Sequence, residues 1–199
     1  MAVVAPKVEY YRLVDDGTST GTFKFLDAST PATLLDFGTV DAGSSSNANK
    51  TTVDAATSNN DPGGYQAYAI FNAKGESTDH SDMQNAELGV VSNEAGHEGN
   101  QDGDVYTNHW VHVLLNTDPA SKTVALGLAS DGETVVKQPL TAIGVDASES
   151  AGVIKGTKND GTLSGAQSNY ARITTWVELQ ANAPAGPHYF RLRTTYQYT

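Results

Sequence analysis

The chain has 199 residues, no cysteine, a formal net charge of −11 and an apolar fraction of 38%. This length suits a single domain, since all-β sandwiches and barrels of about 200 residues are commonly undivided. The charge disfavours nucleic acid and anionic membranes as partners, because both attract clustered Lys and Arg and the 12 basic residues here are scattered, while the lack of cysteine excludes disulfides and thiolate chemistry.

The first seven residues are predicted to form an N-terminal arm, and residues 8–199 a single β-sandwich domain. The arm is a short apolar run that Pro6 ends. It either begins an edge strand of its own domain or docks on a neighbouring subunit, and both interpretations stay open. We predict an interaction site formed by Ala2, Val3, Val4 and Ala5. The run lacks the basic region and apolar core of a signal peptide, which predicts a protein made in the cytoplasm and not secreted by the general pathway.

Alternation of apolar and polar residues predicts strands along most of the chain. Before the C-terminal region they lie at 8–14, 22–26, 34–44, 65–72, 86–91, 105–116, 123–128 and 134–137, with shorter ones near 51–53 and 153–154. Residues 65–72 are apolar on both faces, which predicts a central strand. No window of about 11 residues has a helical apolar period, so almost no helix is expected.

The longest alternation lies at the C-terminus, where residues 171–180 and 188–198 are predicted to form two long strands. In the first strand Ile173 and Val177 fall on an apolar face, and Arg172 falls on the opposite face. The loop between the strands combines Pro with Gly, so the chain is expected to reverse there. The chain is also expected to end inside the second strand.

These segments predict an all-β fold, a mostly antiparallel β-sandwich of about 8–10 strands with almost no helix. The loops are rich in Gly, Asn, Ser, Thr and Asp, which fits a thin core between two layers. The core is expected to hold the large apolar residues of the strongest strands, namely Phe37, Phe71, Trp110, Leu114, Ile173, Val177, Phe190 and Leu192.

One segment matches the G-x-S-x-G pattern of serine hydrolases, with Ser19 at the position of the nucleophile. That chemistry needs the Ser on a strained turn between a strand and a helix, with an oxyanion hole and a later His. A turn signal precedes Ser19 and a strand follows it, so a hairpin loop is predicted instead. A carboxylate pair for glycoside hydrolysis needs only proximity in space, and the sequence singles out none. We therefore predict no catalytic residue and a protein that is not an enzyme.

Residues 97–104 place His, Glu, Asn and Asp side chains in one loop, which is a candidate for a hard cation. The EF-hand spacing fails, because Tyr106 stands where an oxygen ligand is needed. His109 and His112 lie three apart on a predicted strand and therefore point to opposite faces, so they cannot bind one ion. A weak surface calcium site stays open against a solvated acidic loop, and residues 79–82 are a weaker case. We predict no bound metal and no cofactor.

Four stretches resemble a group of tailed-bacteriophage virion proteins that have an immunoglobulin-like or jelly-roll β-sandwich. They are L-D-F-G-T-V-D-A-G at 35–43, A-I-F-N at 69–72, W-V at 110–111 and A-P-A-G-P-H-Y-F-R-L-R-T-T-Y-Q-Y-T at 183–199. The resemblance implies a non-enzymatic structural protein of the virion that decorates or stabilises the capsid or neck. Its partners would be capsid or tail proteins of the same particle and copies of itself in a homo-oligomer. The family pattern carries no catalytic residue.

A carbohydrate- or receptor-binding sandwich module of a tail or cell surface is the alternative hypothesis. It predicts an exposed row of aromatic side chains, for which the candidates are Trp110, Trp176, Tyr189 and Tyr196. Aromatic residues in alternating strands also serve as core and cross-strand packing. A hydrolase, as a third hypothesis, would need titratable groups that converge in a pocket.

Overall fold

The computed structural model of the protein describes residues 4–15, 25–27, 49–50, 66–91, 110–115, 138–143, 152–179 and 191–199. These residues form nine β-strands, and the helix among them is a single 3-10 turn of three residues, Gln167–Asn169. The strands are β1 (Val8–Asp15), β2 (Phe25–Asp27), β3 (Asn49–Lys50), β4 (Gln66–Asn72), β5 (Gln84–Val91), β6 (Val111–Leu115), β7 (Gln138–Pro139), β8 (Tyr170–Leu179) and β9 (Arg191–Gln197). For these residues, the prediction of an all-β protein with almost no helix is confirmed.

Six strands form one antiparallel sheet in the order β2-β1-β4-β8-β3, with β6 also paired to β8. Strand β4 lies between β1 and β8, and its Tyr68 stands opposite Ile173 of β8. Strand β6 pairs with residues 173–177 of β8 and so flanks that strand on its other edge. The prediction that residues 65–72 contain a central strand is therefore confirmed.

The second antiparallel sheet has three strands in the order β7-β5-β9. Strand β5 pairs with β9 through Leu88 opposite Thr194, and the register shifts between Gln84 and Glu87. Asn85 lies in that shift with a φ of 48°, a backbone conformation that Asn tolerates better than most residues. The two long C-terminal strands thus belong to different sheets, so the chain crosses from one sheet to the other between β8 and β9.

The main apolar core lies between the two sheets, because its buried residues come from both. They are Tyr68, Ile70, Met83, Ala86, Leu88, Trp110, Val111, Val113, Leu140, Ile154, Ala171, Ile173 and Val177. Burying one large apolar side chain of this kind contributes about 1.5–3 kcal/mol to folding. Two antiparallel sheets that share one core in this way form a β-sandwich.

A second apolar cluster covers the opposite face of the six-stranded sheet. It consists of Tyr11, Leu13, Ala67, Ala69, Phe71, Ala166 and Tyr170. Phe71 meets Tyr11 edge-on with ring centroids 5.7 Å apart, and its centroid lies 4.8 Å from that of Tyr170. Strand β4 is consequently buried on both faces, which is why its sequence lacks a polar face.

Most of the predicted core residues that can be compared are buried. Phe71, Trp110, Ile173 and Val177 are buried, and Leu192 packs at the border of the main core. Phe71 belongs to the second cluster and not to the core between the sheets. Phe37, Phe190 and the side chain of Leu114 lie outside the described part of the molecule.

Two predicted strand positions are wrong. Residues 153–154 form no strand, because their only ladder contact is a single bridge between Ile154 and Met83. The amide of the next residue, Lys155, donates instead to the carbonyl of Ser168. The chain does not end inside a strand, because β9 ends at Gln197 and two further residues follow. The predicted strands at 34–44, 51–53, 123–128 and 134–137 lie outside the described residues.

Candidate interaction surface

The N-terminal segment before β1 lies against residues of its own domain. The amide of Ser81 donates to the carbonyl of Val4 at 2.8 Å. The Nδ1 of His80 donates to the carbonyl of Ala5 at 2.8 Å. Both contacts use the main chain of the arm, so they hold its path without depending on its side chains.

Lys7 fixes the point where the arm enters β1. Its amide donates to Oδ1 of Asn72 at 3.1 Å, and its carbonyl accepts from the amide of Ala73 at 2.9 Å. The side chain of Asn72 is fully buried and also donates to the carbonyl of Ser81 at 2.9 Å. One buried amide therefore ties the arm to the segment that receives it.

The C-terminus reaches the same place. The hydroxyl of Ser81 donates to the carbonyl of Thr199 at 3.1 Å, so Ser81 bonds to Val4 through its amide and to Thr199 through its side chain. Close by, Nδ2 of Asn85 donates to Oε1 of Gln197 at 3.0 Å. The N-terminal and C-terminal segments thus meet at a single serine.

Two large apolar side chains project into solvent at this meeting point. Val4 is 47% exposed and Tyr198 is 49% exposed, and these are the exposed large apolar residues of the described part of the chain. Leu192 and Tyr196 fall on the same alternating face of the strand as Tyr198, and both pack against the main core, so Tyr198 continues that face beyond the strand. We call the region formed by Val4, Ala5, His80, Ser81 and Tyr198 the chain-end surface.

The chain-end surface rests on two segments that are joined by hydrogen bonds. We call the segments 72–82 and 152–169 the loop frame, because many hydrogen bonds join them. The amide of His80 donates to the carbonyl of Gly156 at 2.7 Å, and the amide of Gly156 donates to Oδ1 of Asp82 at 2.9 Å. A Cβ at Gly156 would lie 2.7 Å from the carbonyl carbon of His80 and closer still to the neighbouring carbonyl oxygens, so only glycine permits this approach.

Buried asparagines complete the loop frame. Nδ2 of Asn169 donates to the carbonyls of Asn72, Lys155 and Thr157 at 3.3, 3.0 and 2.7 Å. Lys155 in turn pairs with Asp82 at 2.8 Å. Because these groups are satisfied inside the protein, the frame can present the chain-end surface in one fixed arrangement.

Charges at the base of the arm are paired. Nζ of Lys7 lies 2.7 Å from Oε1 of Glu76 and 3.7 Å from Oε1 of Glu9. The hydrogen bond between the two side chains raises the pKa of Lys7 above its ordinary value and lowers the pKa of Glu76. The side chains of Lys7 and Glu76 are 44% and 30% exposed, so water screens the pair and it contributes little to stability.

The predicted interaction residues are only partly within the described structure. Ala2 and Val3 lie outside the described residues, and Val4 and Ala5 bond to their own domain as stated above. Tyr198 and Ser81 joined the site only through the structure. The one sequence signal that could have indicated Tyr198 is its position at the end of an alternating apolar series, just after the last residue of β9.

The candidate ligands in residues 79–82 have structural roles. Oδ1 of Asp79 accepts from the amide of Lys158 at 2.9 Å, and Asp82 is bound by Lys155 and Gly156. Within the described residues, no group of three or more His, Asp or Glu side chains could hold a metal ion. Ser19, residues 97–104 and His109 lie outside the described part, and His112 is half-buried in β6.

The proposed aromatic row does not include Trp110, which is only 2% exposed and belongs to the main core. Its burial agrees with the prediction that Trp110 belongs to the core. Tyr196 is half-buried and also packs against the core. Tyr189 and the side chain of Trp176 lie outside the described residues.

Across the ranges that the structure describes, no helix is long and apolar enough to cross a membrane. Comparison with protein-family models, with curated proteins and with solved structures found no match to this chain. Its function is therefore inferred from its own residues.

Proposed function

We propose that the protein is a non-enzymatic structural subunit of a bacteriophage particle, which decorates or stabilises the capsid or neck through subunit contacts. The observation that carries the proposal is the chain-end surface. Both terminal segments meet at Ser81, and the exposed Val4 and Tyr198 project from there. Exposed apolar side chains that lie together on a protein surface mark a candidate contact with another protein.

The rigidity of the support favours such a role. Surfaces that are already ordered lose less conformational entropy on binding than loops that must fold. The loop frame provides this order, because Asn72 and Gly156 fix the position of Ser81. The apolar area of the surface is small compared with the ~800 Å² per partner of a standard stable interface. We therefore expect each contact to be weak and the particle to gain strength from many identical contacts.

The charged groups near the surface support a structural role over catalysis. Asp79, Asp82 and Lys155 hold loops together by hydrogen bonds and an ion pair. Lys7 and Glu76 pair with each other at the base of the arm. These groups position the chain ends, and the resemblance to virion proteins implies a structural role on the capsid or at the neck of a particle.

The first test is association with particles. Deletion of residues 2–5 and the substitution Tyr198→Ala should each reduce recovery of the protein with purified particles, while the melting temperature stays near the wild-type value. Ser164→Ala is the matched control, since Ser164 is exposed in the loop frame and its hydroxyl lies 3.4 Å from that of Thr162 in the same segment. A truncated protein that unfolds would show that the arm belongs to its own sandwich, and unchanged recovery of all variants would contradict the proposal.

The second candidate function is glycan binding by a tail or cell-surface module. The observation in its favour is the pair Tyr196 and Tyr198, whose ring centroids are 6.3 Å apart with planes inclined by 42°. Half-exposed tyrosines can stack on a sugar ring. A glycan-binding assay distinguishes the two functions: measurable affinity that Tyr198→Ala abolishes and Tyr198→Phe retains supports this candidate.

A further inference from the structure

The arm is held by contacts that can be broken at small cost. Val4 and Ala5 bond to Ser81 and His80 through two main-chain carbonyls, and both side chains are exposed. Pro6 has no amide hydrogen to bond. Release of these residues therefore exposes no buried apolar side chain of the arm, and such segments open before the body of a domain does.

Lys7 limits how far the arm can open. It keeps its bonds to Asn72, Ala73 and Glu76 and lies directly before β1. Residues 4–6 can then swing about Lys7 over about 10 Å, since an extended chain spans ~3.3–3.6 Å per residue. Only an acceptor close to the chain-end surface lies within this reach.

We propose that two copies of the chain meet at their chain-end surfaces and exchange Val4 and Ala5, so that each copy bonds to Ser81 and His80 of the other. The segment fits this site, because within one chain the structure shows Val4 and Ala5 seated on it. A symmetric pair of this kind uses one surface patch twice, and exchange of an identical element is a low-cost route to association. The inference rests on the proposed structural role, in which copies lie side by side.

The balance between the closed and exchanged forms depends on the new contact. The hydrogen bonds of the arm are the same in both forms, so they cancel. What the exchanged pair adds is contact between the Val4 and Tyr198 side chains of the two copies, which are half-exposed in the single chain. Exchange is therefore expected to increase with protein concentration and to be weak in dilute solution.

The chain contains no cysteine, which allows a direct test. One sample of the full-length protein carries Val4→Cys and a second carries Ser81→Cys, and the two are mixed and treated with a short bismaleimide cross-linker. Exchange should give a cross-linked heterodimer whose yield rises with concentration. The double variant, with both substitutions in one chain, should cross-link internally in dilute solution and so confirm that the two positions are within reach.

In the matched control mixture, Ser164→Cys takes the place of Ser81→Cys. Ser164 is solvent-exposed in the loop frame, and its hydroxyl lies 3.4 Å from that of Thr162. We expect at least a fivefold lower heterodimer yield from this mixture. Equal heterodimer yields from the two mixtures would mean that the chains are cross-linked by random collision, which would overturn the proposal. The proposal would also be overturned if no heterodimer forms although the double variant cross-links internally. If Ser81→Cys lowers the melting temperature, the pair Ala5→Cys and His80→Cys repeats the test with Ser81 unchanged, so that its amide can still donate to the carbonyl of Val4.

The outcome separates this inference from the proposed function. If the protein joins particles but neither pair of positions gives a heterodimer, the proposed structural role stands and arm exchange is contradicted. Heterodimer formation by a protein that never joins particles would support exchange and contradict the role in the virion. The addition of Tyr198→Ala to both cysteine variants should lower the heterodimer yield, because it removes the contact that favours the exchanged pair.

Discussion

The loop frame and the arm are both held by hydrogen bonds, but the bonds of the frame involve buried groups and those of the arm involve exposed ones. In the loop frame the donors Asn72 and Asn169 are buried, so a lost partner leaves a polar group without water. In the arm the bonds of Val4 and Ala5 lie at the surface, where water replaces a lost partner. Burial, more than the number of bonds, should therefore decide which region is stable and which can move.

The largest expected effect is that of Gly156→Ala in the loop frame. The new Cβ would clash with the main chain of His80 and Ser81, which cannot rotate away. We expect a loss of roughly 3 kcal/mol in the free energy of unfolding, at the upper end of overpacking effects. Chemical denaturation monitored by circular dichroism measures it.

Gly165→Ala is the control for that substitution. The atoms nearest its Cβ would be those of the Asp160 carboxylate, the end of an exposed side chain that can move. A smaller loss of stability is therefore expected. Equal losses for the two alanine variants would show that main-chain contact at Gly156 is not what fixes the frame.

Asn169→Ala should have the next largest effect. It removes the donor to the carbonyls of Asn72, Lys155 and Thr157, of which the first is buried. Leaving a buried acceptor unsatisfied costs about 1–3 kcal/mol, so we expect a loss of about 2 kcal/mol in a urea titration. Ser81→Ala, which removes one exposed bond to Thr199, should cost less than half as much. The reverse order would contradict the comparison between frame and chain ends.

The sequence predicted the sheets better than the surface that they support. Residues 171–179 alternate between apolar and polar, and residues 67–71 are uniformly apolar. Either pattern shows within a few consecutive residues, so β8 and β4 could be predicted from short stretches of sequence. The chain-end surface depends instead on contacts such as Ser81 with Thr199, which are 118 positions apart. Nothing local to Ser81 indicates such a partner.

Gly156 and Asn72 illustrate the same limit. A glycine in a polar loop is normally read as a turn, whereas Gly156 is required because two distant segments touch there. Asn72 ends a strand and could have been a solvated turn residue, but it is buried and bonded to three separate segments through Lys7, Ser81 and Ile154. These roles follow from the packing of the loops and not from local propensity.

A third prediction concerns the contact between the two sheets at high pH. Tyr10 of β1 bonds to Thr194 of β9, and burial raises the pKa of Tyr10 above its ordinary value of 10.0, with the bond to Thr194 acting in the opposite direction. Its stabilising effect is therefore fully present below about pH 10 and is lost as the pH rises through the higher folded-state pKa. In Tyr10→Phe the melting temperature should fall less steeply between pH 10 and 12. An unchanged slope would mean that this hydroxyl does not titrate with unfolding.

The smallest expected effect lies at the base of the arm, in the pair Lys7 and Glu76. The lowered pKa of Glu76 means that its contribution is present above the ordinary value of 4.5 and is lost as the pH falls through the folded-state pKa. Because both side chains are well exposed, Glu76→Gln should lower the melting temperature only slightly at pH 7 and not at all at pH 2. The difference at pH 7 should also shrink in 1 M salt, where the screening length is about 3 Å. A large effect that persists in salt would show that the base of the arm is as firmly held as the loop frame.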